Sequence, residues 1–405
     1  MQNLGRLTLR RIALFTSILS LIISYAGIWV RLINSRAERT GADFIHFYSA
    51  GRIAQEYGIS HVYNLDLQQN YEEEQVGFAL VPGQVLPFNH LPYIVPILKL
   101  IVSTDYVGSF CRWDLLIICL FIAGIVILGL GLKQAGIDRN SILLSGIGAF
   151  LFLPVFVSLQ NGQDTALVFL GASIWVYGLL SKRDMLAGVG LSLTTTRPHI
   201  SLMLAIPMVI RYRKVFLGFL FSAGILATLS VFLLGAFGTR EFIDVLLLTA
   251  GGNWYGTHQE AMLNLIGLLL RTHPLNAGIL RMAGWIFYGV AIIILCVLWS
   301  RKRDLQDGRL GLTITLAIFA VPHLHFHDLS LLLIPVYELI RLGARDGRPR
   351  KEIAVILPIA ISILLLVSNA APLLRYSVPY LIMFGLAVYP YYSNLKLSTA
   401  TQHRA

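Results

Sequence analysis

An acid, an imidazole and a phenol lie within one short stretch, GADFIHFYSAG at residues 41–51, just after the first long apolar run of the chain. Asp43 could take a proton from an attacking hydroxyl as a general base. It could equally cap a short helix beginning near Phe44, since aspartate is a good N-cap, and both roles could hold at once. His46 and Tyr48 follow it as candidates for touching a substrate.

Four more stretches carry residues of this kind. PHLHFHDL at 322–329 holds His323, His325, His327 and Asp328. Histidines and acids at membrane depth are costly and are usually functional. His323 and His327 stand four apart, a spacing that could bind metal, line an anion-contacting wall or serve structural hydrogen bonds, and Asp328 could orient a histidine. TTTRPHI at 194–200 puts Arg197 between two short apolar runs, where a guanidinium needs an anionic partner. That partner could be Asp164 or Asp328, or a phosphate, which the guanidinium fork suits. QNGQDT at 160–165 is an amide-rich turn in which Gln163 could hold sugar hydroxyls, and Gly162 could simply make the turn. FNHLPY at 88–93 contributes His90 and Tyr93.

A weaker candidate is GGNWYGTHQEAMLN at 251–264, with Asn253, Trp254, Tyr255, His258 and Asn264. Its aromatics fit an interfacial belt or sugar stacking. EEEQ at 72–75 reads as a solvated helix face. The chain has no Walker loop, no strand-borne GxGxxG, no GxSxG elbow and no DxD-like pair, so no metal-bound nucleotide sugar and no cofactor are expected, and no metal site is assigned.

The elements that must position these residues are membrane helices. The 405 residues are 56% hydrophobic and 13% charged, about half the charge of a soluble domain. Apolar runs are expected to span at about 12–32, 113–132, 141–159, 164–181, 185–197, 199–210, 215–237, 277–299, 310–323, 328–342, 353–368 and 376–393. This makes an all-α polytopic membrane protein of about 12 transmembrane helices, a single integral membrane domain over 1–405. Segment 91–103, flanked by prolines, reads as interfacial or re-entrant. The first run follows Arg6, Arg10 and Arg11 without a cleavage site, so it reads as an uncleaved helix.

With both termini cytoplasmic, 21 of the 32 Lys and Arg fall in cytoplasmic loops, as the positive-inside rule requires. The net charge of +11 is thereby explained without nucleic acid. On this map the other face collects the polar residues, in a first outer loop at 34–90 with short juxtamembrane helices, a second at 238–274, and the turns already named. Cys111, Cys119 and Cys296 form no CxxC pair and imply no disulfide framework.

In this order the stretches resemble glycosyltransferase family 87, polytopic C-type membrane enzymes known chiefly as polyprenyl-phosphate-mannose-dependent mannosyltransferases. GADFIHFYSAG is similar to the family's first outer loop, FNHLPYIVPILKL to its Phe-x-Tyr-Pro-Pro stretch, and QNGQDTALVFL to its Gly-Gln turn. The TTTRPH stretch stands where the family has Lys-Pro, and VPHLHFHDLSLLLIP resembles its late Pro…(His/Tyr)-Asp segment. The chain departs in His90-Leu91-Pro92 for Tyr-Pro-Pro and in Arg197 for Lys.

The resemblance implies a C-type glycosyltransferase fold in the cytoplasmic membrane, with its site on the periplasmic face. It implies a hexose, mannose first, moving from a polyprenyl-phosphate sugar to a lipid or glycan acceptor, with inversion. Asp43 would be the base, Arg197 and His327 would bind the donor phosphate, and His46, Tyr48, His90, Gln163, Asn264, His325 and Asp328 would contact substrate. Two other classes fit the composition: a transporter or flippase for a lipid-linked or anionic solute, which should show polar residues on both faces, and a non-catalytic partner in an envelope assembly.

Overall fold

A computed structural model describes residues 2–36, 38–39, 42–250, 259–300, 305, 308–345, 351–371 and 374–388. Among these, every regular element is a helix. Asn253, Trp254, Tyr255 and His258 lie outside the described residues.

The chain enters through a long apolar helix, α1 (Gln2–Asn34). It then folds a compact polar cap from α2 (Phe44–Glu56), α3 (Leu65–Val76) and α4 (Val95–Ile101). Asn64 starts α3 by accepting from the Leu67 N–H at 3.0 Å, and Gly77, at φ 82°, ends it. The apolar helix Pro92–Ile101 is short, and at 1.5 Å per residue it reaches about 15 Å, half the hydrocarbon thickness.

The cap is tied together by buried polar side chains of α3, against the expectation of a solvated EEEQ face. Gln68 donates to the Val62 carbonyl at 2.7 Å and accepts from the Phe88 N–H at 2.8 Å. Glu72 accepts from the Leu86 N–H at 3.0 Å and is 1% exposed, and Gln75 is buried beside it. These bonds satisfy the extended backbone of 85–88, which has no sheet to pair with. Tyr63 then donates to the His90 carbonyl at 2.6 Å, so the cap fixes the loop that presents His90.

The membrane body follows as α5 (Tyr106–Gln134), α6 (Arg139–Phe150), α7 (Leu153–Asn161), α8 (Thr165–Leu180), α9 (Asp184–Leu193), α10 (Pro198–Ala205) and α11 (Met208–Arg211). It continues with α12 (Arg213–Ala250), α13 (Leu265–Thr272), α14 (Ala277–Ser300), α15 (Arg309–Ala320), α16 (Leu333–Arg345), α17 (Lys351–Ser368) and α18 (Leu374–Val388). Large apolar side chains on α1, α5, α12 and α14, such as Phe15, Leu115, Phe232 and Ile293, are exposed in a row that only lipid would cover.

Twelve apolar segments were expected to span. Four described helices are long and apolar enough to cross, Ile12–Asn34, Tyr106–Gln134, Arg213–Ala250 and Ala277–Ser300, or five if α6 and α7, bent by 48°, count as one. The expected spans 185–197 and 199–210 are the short helices α9 and α10 with α11, joined by a 3-10 turn at Thr194–Thr196. At 10 and 8 residues α9 and α10 reach about 15 and 12 Å. Pro198 and the polar turn before it break the apolar run, and one face of each piece is buried by neighbouring helices while Met185, Val189 and Leu202 stay exposed. Small residues allow this packing: a Cβ on Gly190 would meet the Gly171 carbonyl at 2.7 Å and the Trp175 nitrogen at 2.7 Å. The loop expected from 238 is helical to Ala250, because α12 only kinks at Gly235, whose φ of 63° and ψ of −174° suit glycine.

Burial pushes the Glu72 carboxyl up to about 8, and its second oxygen meets no donor, so the neutral acid is the form the cap accommodates. The folded value lies above the ordinary one. Its contribution to stability is therefore complete below the ordinary carboxylate range and is lost as pH rises through about 8. Thermal unfolding in detergent should show the protein losing stability between pH 6 and pH 8.5. Glu72→Gln, which keeps an acceptor for Leu86, should flatten that loss, and parallel curves for the two proteins would clear Glu72 of responsibility.

Candidate functional site

Five of the polar stretches meet at one place. Each lies where a helix starts or stops: before α2, before α4, between α7 and α8, between α9 and α10, and before α16. The basic residues Lys133, Lys182, Arg183, Arg211 and Arg213 sit at the opposite helix ends. Short helices therefore deliver polar tips into an apolar body without stranding backbone groups in lipid.

Arg197 stands at the centre and is 8% exposed. Its Nη2 lies 3.1 Å from Asp164 Oδ1 and donates to Gln163 Oε1 at 2.6 Å. Its Nε lies 3.6 Å from Asp328 Oδ1. Nη1 sits 3.4 Å from the Nδ1 of His90, and that nitrogen lies 3.0 Å from Asp164 Oδ2. Of the two acids foreseen as ion-pair partners for Arg197, the structure brings both. His327 Nε2 approaches Asp328 Oδ2 at 3.6 Å, and the His325 N–H donates to that same oxygen at 3.0 Å.

The walls are aromatic. His46 stacks on His90 with ring centroids 5.1 Å apart and planes within 20°. Phe47 and Phe88 close on His90 at 4.6 and 5.6 Å. Both ring nitrogens of His46 lack partners, and burial pushes its imidazole well down, so it sits there neutral.

The turn that presents Gln163 and Asp164 is fixed by Trp113, whose indole N–H donates to the Gly162 carbonyl at 2.7 Å. Gly162 is needed twice over. Its φ is 68°, and a Cβ there would meet the Cβ of Phe44 at 2.6 Å. This close approach brings the α2 start, and with it Asp43, against the Gln163 turn.

Asp43 occupies the N-cap position of α2, yet its side chain makes no capping bond. Gln163 bridges instead, accepting from Arg197 and donating to Asp43. Desolvation raises the Asp43 carboxyl to about 6, against the pull of Gln163, Arg197 and His90 and with a smaller push from Asp328. A base with that value is mostly charged at neutral pH and still strong enough to take a proton.

Two expected substrate contacts sit elsewhere. Tyr48 donates to the Thr104 carbonyl at 3.4 Å and packs on Tyr106 at 5.0 Å, facing away from the centre. Asn264 caps α13, accepting from the Gly267 N–H at 2.9 Å and donating to the Val321 carbonyl at 2.8 Å, so its amide is occupied in holding the 321–324 backbone. Sequence reasoning singled out neither Phe47 nor Phe88 nor Trp113. Nothing in their local pattern separates them from ordinary core aromatics, and only their contacts do. Among the described residues no group of three His, Cys, Asp or Glu side chains is placed to hold a metal ion.

Such a fold defines a multi-pass helical membrane protein in which carboxylate and histidine side chains from several helix ends converge around one guanidinium. The sequence pattern of glycosyltransferase family 87 matches residues 87–322, more than half of the 405-residue chain. The protein belongs to that family and is a glycosyltransferase. The match takes in His90, Gln163, Asp164 and Arg197, begins after Asp43 and ends before His323. No curated protein matches the chain.

Removing the Arg197 guanidinium would leave Asp164 and Asp328 buried without a counter-charge. Arg197→Ala should cost about 3–5 kcal/mol of stability, and Arg197→Lys distinctly less. Thermal unfolding in detergent measures this, and an Ala variant as stable as the parent would contradict the central role of the ion pairs.

Proposed function

We propose that this glycosyltransferase moves a hexose, mannose in the first instance, from a polyprenyl-phosphate donor to an acceptor hydroxyl on the outer face of the cytoplasmic membrane, with inversion. The observation that carries the reading is Asp43. Its carboxylate stands at a helix start without capping it, is tuned to about 6, and keeps part of its surface exposed beside the buried cluster. Asp43 takes the proton of the acceptor hydroxyl as that oxygen bonds to the anomeric carbon. The bond from that carbon to the phosphate oxygen breaks, and polyprenyl phosphate leaves with the electron pair.

The anomeric carbon gains positive charge in such a step, and a centre rich in carboxylates suits it. As a donor-phosphate ligand, Arg197 would have to share its fork with Asp164 and Asp328. We therefore assign it to ordering the cluster and keeping Asp43 ionised. His327 and His325 line the space next to Asp328, and His90 with His46 offers an aromatic face to the sugar. The outer-face placement rests on the basic residues at the opposite helix ends. A transporter would want polar side chains along a path to both ends; here the histidines and the acids paired with Arg197 gather at one end, and the buried Glu338 deeper in α16 is committed to Arg341 and to the Leu310 and Gly311 N–H groups.

Asp43→Asn should lower transfer by about 10²-fold to 10⁴-fold, the usual worth of a general base, with expression and thermal stability kept. Membranes with radiolabelled polyprenyl-phosphate mannose provide the assay, and other polyprenyl-linked sugars follow if mannose does not move. A fully active Asn variant would remove Asp43 from this role. Because the base must be unprotonated, log kcat/KM of the parent should fall with unit slope as pH drops below about 6.

A further inference from the structure

The centre poses a charge problem for an anionic donor. Three carboxylates, Asp43, Asp164 and Asp328, face the single guanidinium of Arg197. A phosphate seated among them would meet net negative charge, and at short range in a poorly solvated site that repulsion is severe. A donor with a phosphate must hold it against a cation outside the cluster yet within reach of Asp43.

Arg39 meets both conditions. It lies one turn before the base, with the Ala42 N–H donating to the Arg39 carbonyl at 3.2 Å. Its guanidinium lies over the Tyr106 ring, 4.8 Å from the centroid, and reaches the Gln75 carbonyl only at 3.4 Å. Among the described residues it forms no ion pair, unlike Arg31, which pairs with Glu38, and Arg52, which pairs with Glu56. Half-buried and held by an aromatic face, it keeps donors free for an incoming anion.

Arg39 also lies on a cleft. Ile33 at the end of α1 forms one wall, and Val107 and Phe110 at the start of α5 form the other. Both helices are long enough to cross the bilayer, and Ile33, Val107 and Arg39 are the cleft residues that stay partly exposed, at its mouth. Ala42, the residue before Asp43, also lines it. Phe44, the residue after Asp43, packs on Tyr106 at 5.3 Å and on Phe110 at 5.2 Å, so the chain next to the base rests on the cleft's own aromatic rings.

We infer that the α1–α5 cleft is the lateral entry and seat of a lipid carrying a single phosphate, with its apolar chain along Ile33, Val107 and Phe110 and its phosphate on Arg39. The inference rests on the proposed lipid-linked donor and adds where that donor binds. The phosphate then stays at the rim, and the sugar reaches inward to Asp43 and the carboxylate-rich centre. The phosphate is held by one cation and the anomeric carbon faces several anions, a division that favours breaking the bond between them.

The test is equilibrium binding of radiolabelled polyprenyl phosphate to the full-length protein in phosphatidylcholine nanodiscs, so that it does not depend on turnover. Arg39→Gln should weaken binding roughly tenfold or more, the worth of one charge-assisted contact. Val107→Trp, which fills the cleft without touching a charge, should weaken it as well, and Arg31→Gln, a cation already paired with Glu38, should bind as the parent does. Unlabelled polyprenol should compete poorly.

Unchanged affinity in Arg39→Gln would overturn the assignment. So would equal competition by phosphatidylglycerol or inorganic phosphate, which would make the cleft a general anion site. Binding that obeys these expectations in a protein that transfers no sugar from any polyprenyl donor would sink the proposed reaction and leave the cleft standing. In an active protein, Arg39→Gln should raise KM for the donor with a smaller change in kcat.

Discussion

The guanidinium of Arg197, held between Asp164 and Asp328, is the contact on which the rest depends. Three separate helix tips supply the three charges, and none is tolerable alone inside an apolar body. Each ion pair therefore clamps two tips together. His90 and Gln163 extend the clamp to the cap and to Asp43, through the bond to Asp164 and the bridge between Arg197 and the base. The folded arrangement is specified by ion pairs that form in one register of the tips.

That clamp explains the unusual helices. A chain of full-length spans would bring its connecting turns to the membrane surface, dispersed and wet. Here α9, α10 and α15 stop short and pack against α8, α12 and α14 through glycines and buried aromatics. Their ends can then converge below a cap that shields them. The cap is held by its own buried polar groups, with Gln68 and Glu72 on the 85–88 backbone and Tyr63 on the His90 carbonyl. Its rigidity is what carries His90 and the aromatic wall to the site.

The division of charge is the functional consequence. The centre is acidic and partly desolvated, which raises the Asp43 carboxyl to about 6; in the proposed reaction this suits a general base and a positively charged anomeric carbon. In the proposed reaction, cationic recognition moves to the rim, where Arg39 lies over an aromatic ring beside the α1–α5 cleft. A soluble enzyme could place a phosphate-binding arginine beside its base. An enzyme drawing its donor from a bilayer gains by placing it at the portal.

The sequence by itself determined the class of fold, the polar stretches and their order, because hydropathy, charge bias and costly residues in apolar surroundings are written locally. It marked Asp43, His90, Gln163, Arg197, His325, His327 and Asp328, since side chains of these kinds are expensive to bury without a purpose. It did not separate complete spans from half-length ones, because an apolar run has the same composition whether lipid or protein covers it. It also placed Asn264 and Tyr48 with the substrate contacts, where the fold gives their polar atoms to the backbone at Val321 and Thr104. The burial of Glu72, the pairing of Arg197 with two acids at once and the cleft beside Arg39 were decided by tertiary structure alone. Each depends on residues tens to more than a hundred positions apart meeting in space, and no local pattern carries that information.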